Sequence, residues 1–206
     1  MDQFTLVFVC SGNRFRSPFA EVFLRRLTTG LSVTVESYGT LQLGAAPALP
    51  EALTLAPWFG VDLSSHRARL VGVQSLEETD LVLGFEQEHV RRAVVDAGAA
   101  RRRSFTLPEL LSLMEDVDEA EAENSVRRAR AVVERAAALR ESRVSEPEPG
   151  SIPDPFGKSW RVYRETAVEI RELSLRLAEG LFGITGAKGL PALPPKPPRR
   201  RFGRRR

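Results

Sequence analysis

The part of this sequence best equipped for chemistry is Cys10-Ser11-Gly12-Asn13-Arg14-Phe15-Arg16-Ser17-Pro18. Gly12 and Asn13 are residue types that accept a left-handed backbone. The segment can therefore curl and turn the N–H groups of residues 11–17 onto an anion at the start of a helix. Arg16 supplies a planar, permanently charged fork that matches two oxygens of a phosphate. Ser17 can donate a hydrogen bond to the Cys10 sulfur. The same positive groups favour the Cys10 thiolate, which is the nucleophilic form. A thiolate beneath a bound phosphoryl group is an in-line nucleophile, and such a reaction needs neither metal nor cofactor. The competing structural reading is a small buried cysteine that closes a strand beside an ordinary capped helix.

Such a loop needs a strand before it and a helix after it. Residues 5–9 (TLVFV) are apolar and β-branched, as in a buried parallel strand. Ser17 reads as an N-cap with Pro18 in the first helical turn. Phe19, Val22, Phe23 and Leu27 then recur at helical spacing as far as Thr29, and Gly30 stops the helix. Residues 33–38 alternate as a second strand, 50–59 read as a helix stopped by Gly60, and 80–84 as a third strand. A helix from 86 to about 97 and a short strand at 103–106 follow. Residues 159–182 form a closing helix with Val162, Ala167, Ile170, Leu173, Leu177 and Leu181 on one side, ended by Gly183. Strands alternating with helices predict an α/β fold with a parallel sheet covered on both faces. Ligands in such folds sit at the carboxyl ends of the strands, where the Cys10 loop lies.

Length and composition set the frame around that core. The 206 residues suit one domain, placed here at 1–183. A single cysteine excludes an internal disulfide and a multi-cysteine zinc cluster, and two histidines make a histidine-rich metal site implausible. With no run of 18 apolar residues and no basic n-region in MDQFTLVFVCSG, a cytoplasmic chain without a spanning segment is expected. Lys196, Arg199, Arg200, Arg201, Arg204, Arg205 and Arg206 more than account for the net charge of +3, so the body is mildly acidic. Residues 184–206 read as a disordered basic tail, suited either to plain solubility or to an anionic membrane surface or nucleic acid. Residues 115–148 read as a helical insertion. Its acidic start is Glu115, Asp116, Asp118, Glu119, Glu121 and Glu123, and arginines dominate from Arg127 to Arg143. Val126, Ala129, Val133 and Ala137 give it one thin apolar stripe, which predicts a surface helix of about 25 residues, either solvated or docking a partner.

The segment VFVCSGNRFRSPFAE resembles the signature of the low-molecular-weight protein tyrosine phosphatases. The resemblance covers most of residues 4–98 and returns at 150–182. ESYGT at 36–40 is similar to that family's second strand and turn, GVDLSSHRAR at 60–69 to its loop before the third strand, and IPDPFG at 152–157 to the loop carrying its general acid. The resemblance implies a three-layer, flavodoxin-like α/β sandwich with a four-stranded parallel sheet. It also implies phosphotyrosine hydrolysis through a phosphocysteine on Cys10, with Arg16 as the catalytic cation. Ser11, Gly12, Asn13, Arg14, Phe15 and Ser17 would complete the phosphate loop. Asp154 would be the general acid, and chemistry agrees: an ester oxygen leaves more easily when protonated, and Pro153 and Pro155 stiffen the backbone on either side. His66 and His89 have no motif support and are expected to be structural or solvated.

The sequence departs from the family pattern in four places. Phe15 stands where many members carry a second cysteine. Arg14 stands where they usually carry an aliphatic residue, which puts an extra charge at the rim and favours acidic substrates. Leu41 occupies the place of a cleft-wall Trp or Tyr, and Phe156 replaces a common Tyr. The aromatic wall is then thinner, with Phe156 and Trp160 remaining. Two other functions compete with this one: a thiol-dependent arsenate reductase on the same fold, and a non-catalytic phosphate-binding signalling module.

Overall fold

The computed structural model describes residues 3–117, 124–143, 150–186 and 189–193. Four parallel strands, β1 (Phe4–Cys10), β2 (Val33–Gly39), β3 (Leu81–Gly84) and β4 (Ser104–Thr106), form one sheet in the order β2-β1-β3-β4. Around it lie α1 (Arg16–Leu27), α2 (Pro50–Leu55), α3 (Gln87–Ala97), α4 (Leu107–Met114), α5 (Ser125–Ser142) and α6 (Trp160–Phe182). Side chains alternate along β1. Phe4, Leu6 and Phe8 face the large core shared with α1, α2, α4, α5 and α6, whereas Val7 and Val9 face a smaller core with Val71, Leu76, Ala93 and Ala97. This is the expected three-layer sandwich. Its four strands all end at the edge where the Cys10 loop begins.

Several boundaries differ from the sequence reading. Helix α1 starts at Arg16 with Phe15 as N-cap and no side-chain cap, so Ser17 is not the cap. Its hydroxyl is bonded to Cys10 and Asn13 instead. The stretch 50–59 is an α-helix to Leu55 and then a 3-10 turn, Ala56–Phe59, closed by Gly60 in the left-handed region at φ 70°. Helix α4 was not expected. Thr106 caps it by accepting from Glu109 N, and the Glu109 side chain returns the bond to Thr106 N at 3.0 Å, a capping box ahead of an apolar run.

Helix α5 corrects the picture of a solvated surface insertion. It has 18 described residues, and Val126, Ala129, Val132, Val133, Ala136 and Ala137 are buried in the main core. The stripe looked thin because half of it is alanine, whose small side chains let the helix lie close. Arg140 donates to Ser104 O at 2.7 Å and sits 4.1 Å over the Phe105 ring, and Arg130 pairs with Asp80 at 2.7 Å, so the helix is tied to β4 and to the start of β3. The acidic start of this region, residues 118–123, lies outside the described residues.

The packing also continues past the domain boundary expected at 183. Leu190 is buried, Arg26 Nε donates to Gly189 O at 2.7 Å, and Arg171 donates to Pro191 O at 3.2 Å. The basic run 196–206, and with it the suggested membrane or nucleic-acid partner, lies outside the described residues.

Candidate active site

The loop between β1 and α1 is built around Asn13, which is fully buried and has a positive φ of 49°. Asn Nδ2 donates to Ser17 Oγ at 2.9 Å and to Ser37 Oγ at 2.7 Å, and Oδ1 accepts from Arg69 N at 2.9 Å. Asparagine is the non-glycine residue best suited to a left-handed position because its side chain bonds locally. The loop's carbonyls bond outward: Cys10 O accepts from Thr40 N, Ser11 O from Leu41 N, Asn13 O from His66 Nε2, and Arg14 O from Leu49 N. This leaves the backbone N–H groups for an anion in the curl. The approach of β2 is so close that a Cβ on Gly39 would come within 2.9 Å of Asn13 N and Ser11 O. Only glycine fits there.

Cys10 is buried, and its sulfur lies 3.0 Å from Ser17 Oγ. Ser17 Oγ accepts from Asn13 Nδ2, and its one proton lies within reach of two acceptors, Cys10 Sγ at 3.0 Å and Tyr38 O at 3.3 Å. Phe15 fills the space behind the loop, with its ring 5.1 Å from Phe19 and 5.2 Å from Tyr163. Its contribution to anion binding is therefore its backbone alone. Arg14 donates from Nε to Pro47 O at 2.7 Å, which holds its guanidinium at the rim.

Arg16 is the largest fully buried side chain, 1% exposed, and its charge is matched on every side. NH1 donates to Glu86 Oε1 and, at 2.9 Å, to Ile152 O. NH2 donates to Ser11 Oγ at 3.0 Å and to Asp154 Oδ2 at 2.7 Å. The loop at 152–157 is anchored by Ile152 N on Phe85 O at 2.9 Å and by Gly157 N on the Tyr163 hydroxyl at 3.1 Å. Asp154 Oδ1 accepts from Phe156 N at 3.0 Å.

Cys10, Ser11, Gly12, Arg14, Phe15, Arg16, Leu41, Leu43, Leu49, Asp154 and Phe156 enclose one cavity of about 200 Å³. Cys10 and Arg16 lie at its buried end, while Leu41 and Phe156, 54% and 66% exposed, flank its mouth. Asn13 and Ser17 support the loop from behind rather than lining the cavity. Trp160, expected in the wall, packs against the main core instead.

Three residues that matter here were not assigned to the site from sequence. Glu86 pairs with Arg16. His66, half-buried and in a structural role, donates to Asn13 O at 2.6 Å, and burial pushes its pKa down. His89 is buried, its Nε2 lies 3.0 Å from Ser11 Oγ, and its pKa is lowered to about 4, first by burial and then by Arg16. The available signal for Glu86 and His89 was their helix-capping spacing, which by itself suggests only a local role.

The family model described as "Low molecular weight phosphotyrosine protein phosphatase" matches residues 5–138. A protein-arginine-phosphatase of Bacillus subtilis is 26% identical over 178 residues, 85% of this chain and 95% of that protein. The low molecular weight protein-tyrosine-phosphatase Etp of Escherichia coli is 32% identical over 114 residues, 55% of this chain and 76% of that protein. Among solved structures, a low molecular weight protein tyrosine phosphatase from T. tengcongensis superposes with a TM-score of 0.63 at 26% identity, over 87% of this chain and 100% of that one.

Proposed function

The chain belongs to the low molecular weight phosphotyrosine protein phosphatase family, and from that premise we propose that it hydrolyses aryl phosphomonoesters, phosphotyrosine in proteins above all, through a phosphocysteine on Cys10. The observation that carries this reading is the cavity itself: a buried sulfur beside a buried guanidinium at one end, a carboxyl on the same guanidinium, and an apolar mouth.

The phosphoryl group enters the curl of N–H groups and takes up Arg16, whose NH2 donates to Asp154 Oδ2. Cys10 Sγ attacks phosphorus, the S–P bond forms and the P–O bond to the leaving group breaks. Asp154 gives its proton to the departing oxygen. Charge on the equatorial oxygens is met by the loop amides, which are already in place, and by Arg16, whose NH2 exchanges its bond to Asp154 for one to the phosphoryl group. Water then attacks the phosphocysteine, Asp154 takes the water's proton, phosphate leaves and the Cys10 thiolate is restored. A lone thiol that must stay reduced suits the cytoplasm.

Phosphoarginine is the second substrate to weigh, because one relative is a protein-arginine-phosphatase. Two features favour the aryl ester. Leu41, Leu43 and Phe156 offer a flat apolar ring a surface to lie on. Arg14 is fixed at the same rim by Pro47 O and would face the guanidinium cation of phosphoarginine with like charge. The test is phosphate release from matched phosphotyrosine and phosphoarginine peptides in chelator-treated buffer. We expect kcat/KM for phosphotyrosine to lead by about tenfold or more, the scale of one repelled or unpaired charge. The opposite order would overturn the assignment.

A further inference from the structure

His89 stands at the third position of α3 with both ring nitrogens engaged, and the partners determine which nitrogen carries the proton. Nδ1 lies 3.0 Å from Glu86 N, a backbone donor that can only give a proton, so Nδ1 is the acceptor. The neutral imidazole therefore carries its hydrogen on Nε2. That N–H points at Ser11 Oγ, 3.0 Å away. Ser11 Oγ also accepts from Arg16 NH2 at 3.0 Å. A hydroxyl oxygen has two acceptor positions and one proton. With both acceptor positions filled, the proton of Ser11 has one direction left, and Ser11 lines the cavity beside Cys10.

We propose that His89 is a positioning residue which, together with Arg16, turns the Ser11 hydroxyl into a fixed hydrogen-bond donor for a phosphoryl oxygen in the Cys10 cavity. The idea rests on the phosphatase reading above and adds a side-chain donor to the amides and guanidinium already assigned. Without His89, the hydroxyl could rotate and offer a lone pair to the phosphoryl oxygens, which are acceptors themselves. With His89, it presents only a proton, aimed where negative charge gathers in the transition state. The capping box gives His89 its place: Glu86 accepts from the backbone of His89 and also pairs with Arg16, so the start of α3 grips the catalytic loop at two points.

The test combines spectroscopy with a double-mutant cycle. The chain has two histidines, so their ring N–H signals can be assigned by His66 and His89 substitution. The wild type should show His89 as the Nε2–H tautomer, with that signal moving when inorganic phosphate is added. Ser11→Ala should weaken inorganic phosphate binding and lower kcat/KM on an aryl phosphate by about ten- to hundredfold, the scale of one hydrogen bond to a charged group. His89→Phe should give a similar loss, and the double variant should be no worse than either single variant. The wild-type spectrum and Ser11→Ala decide the matter even if His89→Phe folds poorly. An Nδ1–H tautomer, an indifferent Ser11→Ala, or additive losses in the double variant would overturn the proposal while leaving an active wild type as a phosphatase. A wild type that neither binds phosphate nor turns over aryl phosphate would overturn the phosphatase reading as well.

Discussion

The loop that carries Cys10 and the loop that carries Asp154 face each other across one cavity, but they are held very differently. In the first, Asn13, Ser17 and Arg16 are buried, the carbonyls of Cys10, Ser11, Asn13 and Arg14 are all bonded, and supports arrive from β2, the 66–69 segment and α3. The second loop is tied by Ile152 to Phe85 and Arg16 and by Gly157 to Tyr163, with the Asp154 side chain 40% exposed. The nucleophile and the anion cradle are thus held from several elements, while the acid sits on a more exposed loop, its carboxylate held by Arg16 NH2 and Phe156 N. Binding the phosphoryl group and protonating the leaving group should be separable by mutation.

The widest separation is expected from Cys10→Ser. It should lose about 10⁴-fold or more in turnover, because a hydroxyl is a poor nucleophile beside the thiolate. It should still bind inorganic phosphate through the amides and Arg16, and calorimetry beside an aryl phosphate assay checks both. Asp154→Ala comes next. It should cost about 10²-fold or more on phosphotyrosine and alkyl phosphates, the usual range of a general acid, yet little on p-nitrophenyl phosphate, whose leaving group needs scant protonation. An equal loss across leaving groups would assign Asp154 a purely structural part.

Acid should weaken the first loop's supports. His66 and His89 have folded pKa values below the ordinary 6.5, His89 at about 4. The unfolded chain therefore takes up protons that the folded chain refuses. Their contribution to stability is complete above about 6.5 and is lost as the pH falls from there toward about 4. Urea midpoints measured at pH 7, 6 and 5 should decline in that order, and a flat series would remove the two histidines as acid-sensitive supports. The smallest effect belongs to Tyr163→Phe, which keeps the ring against Phe15 but drops the bond to Gly157 N. About 1 kcal/mol is at stake. It should appear as a several-fold loss on phosphotyrosine and almost none on p-nitrophenyl phosphate, matching Asp154→Ala in kind.

The same contrast runs through what could be read from the sequence. Cys10 to Ser17 is contiguous, so its residue types and spacing already describe an anion cradle, and the strand and helix on either side of it follow from short apolar patterns. Asp154 was legible by resemblance and from its flanking prolines. Glu86, His66 and His89 were not, because their partners lie 53 to 78 residues away in the chain and only the folded sheet brings them together. Helix α4 escaped notice although Thr106 and Glu109 have capping-box spacing. The depth to which α5 is buried was hidden by its alanines, which carry little weight in an apolar pattern and yet allow the closest packing.

Helix α6 comes near the end of the described chain and packs against α1, which comes near its beginning. During synthesis at roughly 5–20 residues per second, the stretch of about 130 residues between them takes on the order of ten seconds to emerge. Through that interval Phe19, Phe23, Leu24 and Leu27 lack the helix that covers them, and Arg16 lacks the carbonyl of Ile152 and the carboxyl of Asp154. A nascent chain then keeps that apolar face of α1 uncovered and its site incomplete until α6 has emerged. Ribosome-bound chains stalled before residue 182 clears the exit tunnel should stay protease-sensitive, and those stalled after it should become resistant in one step.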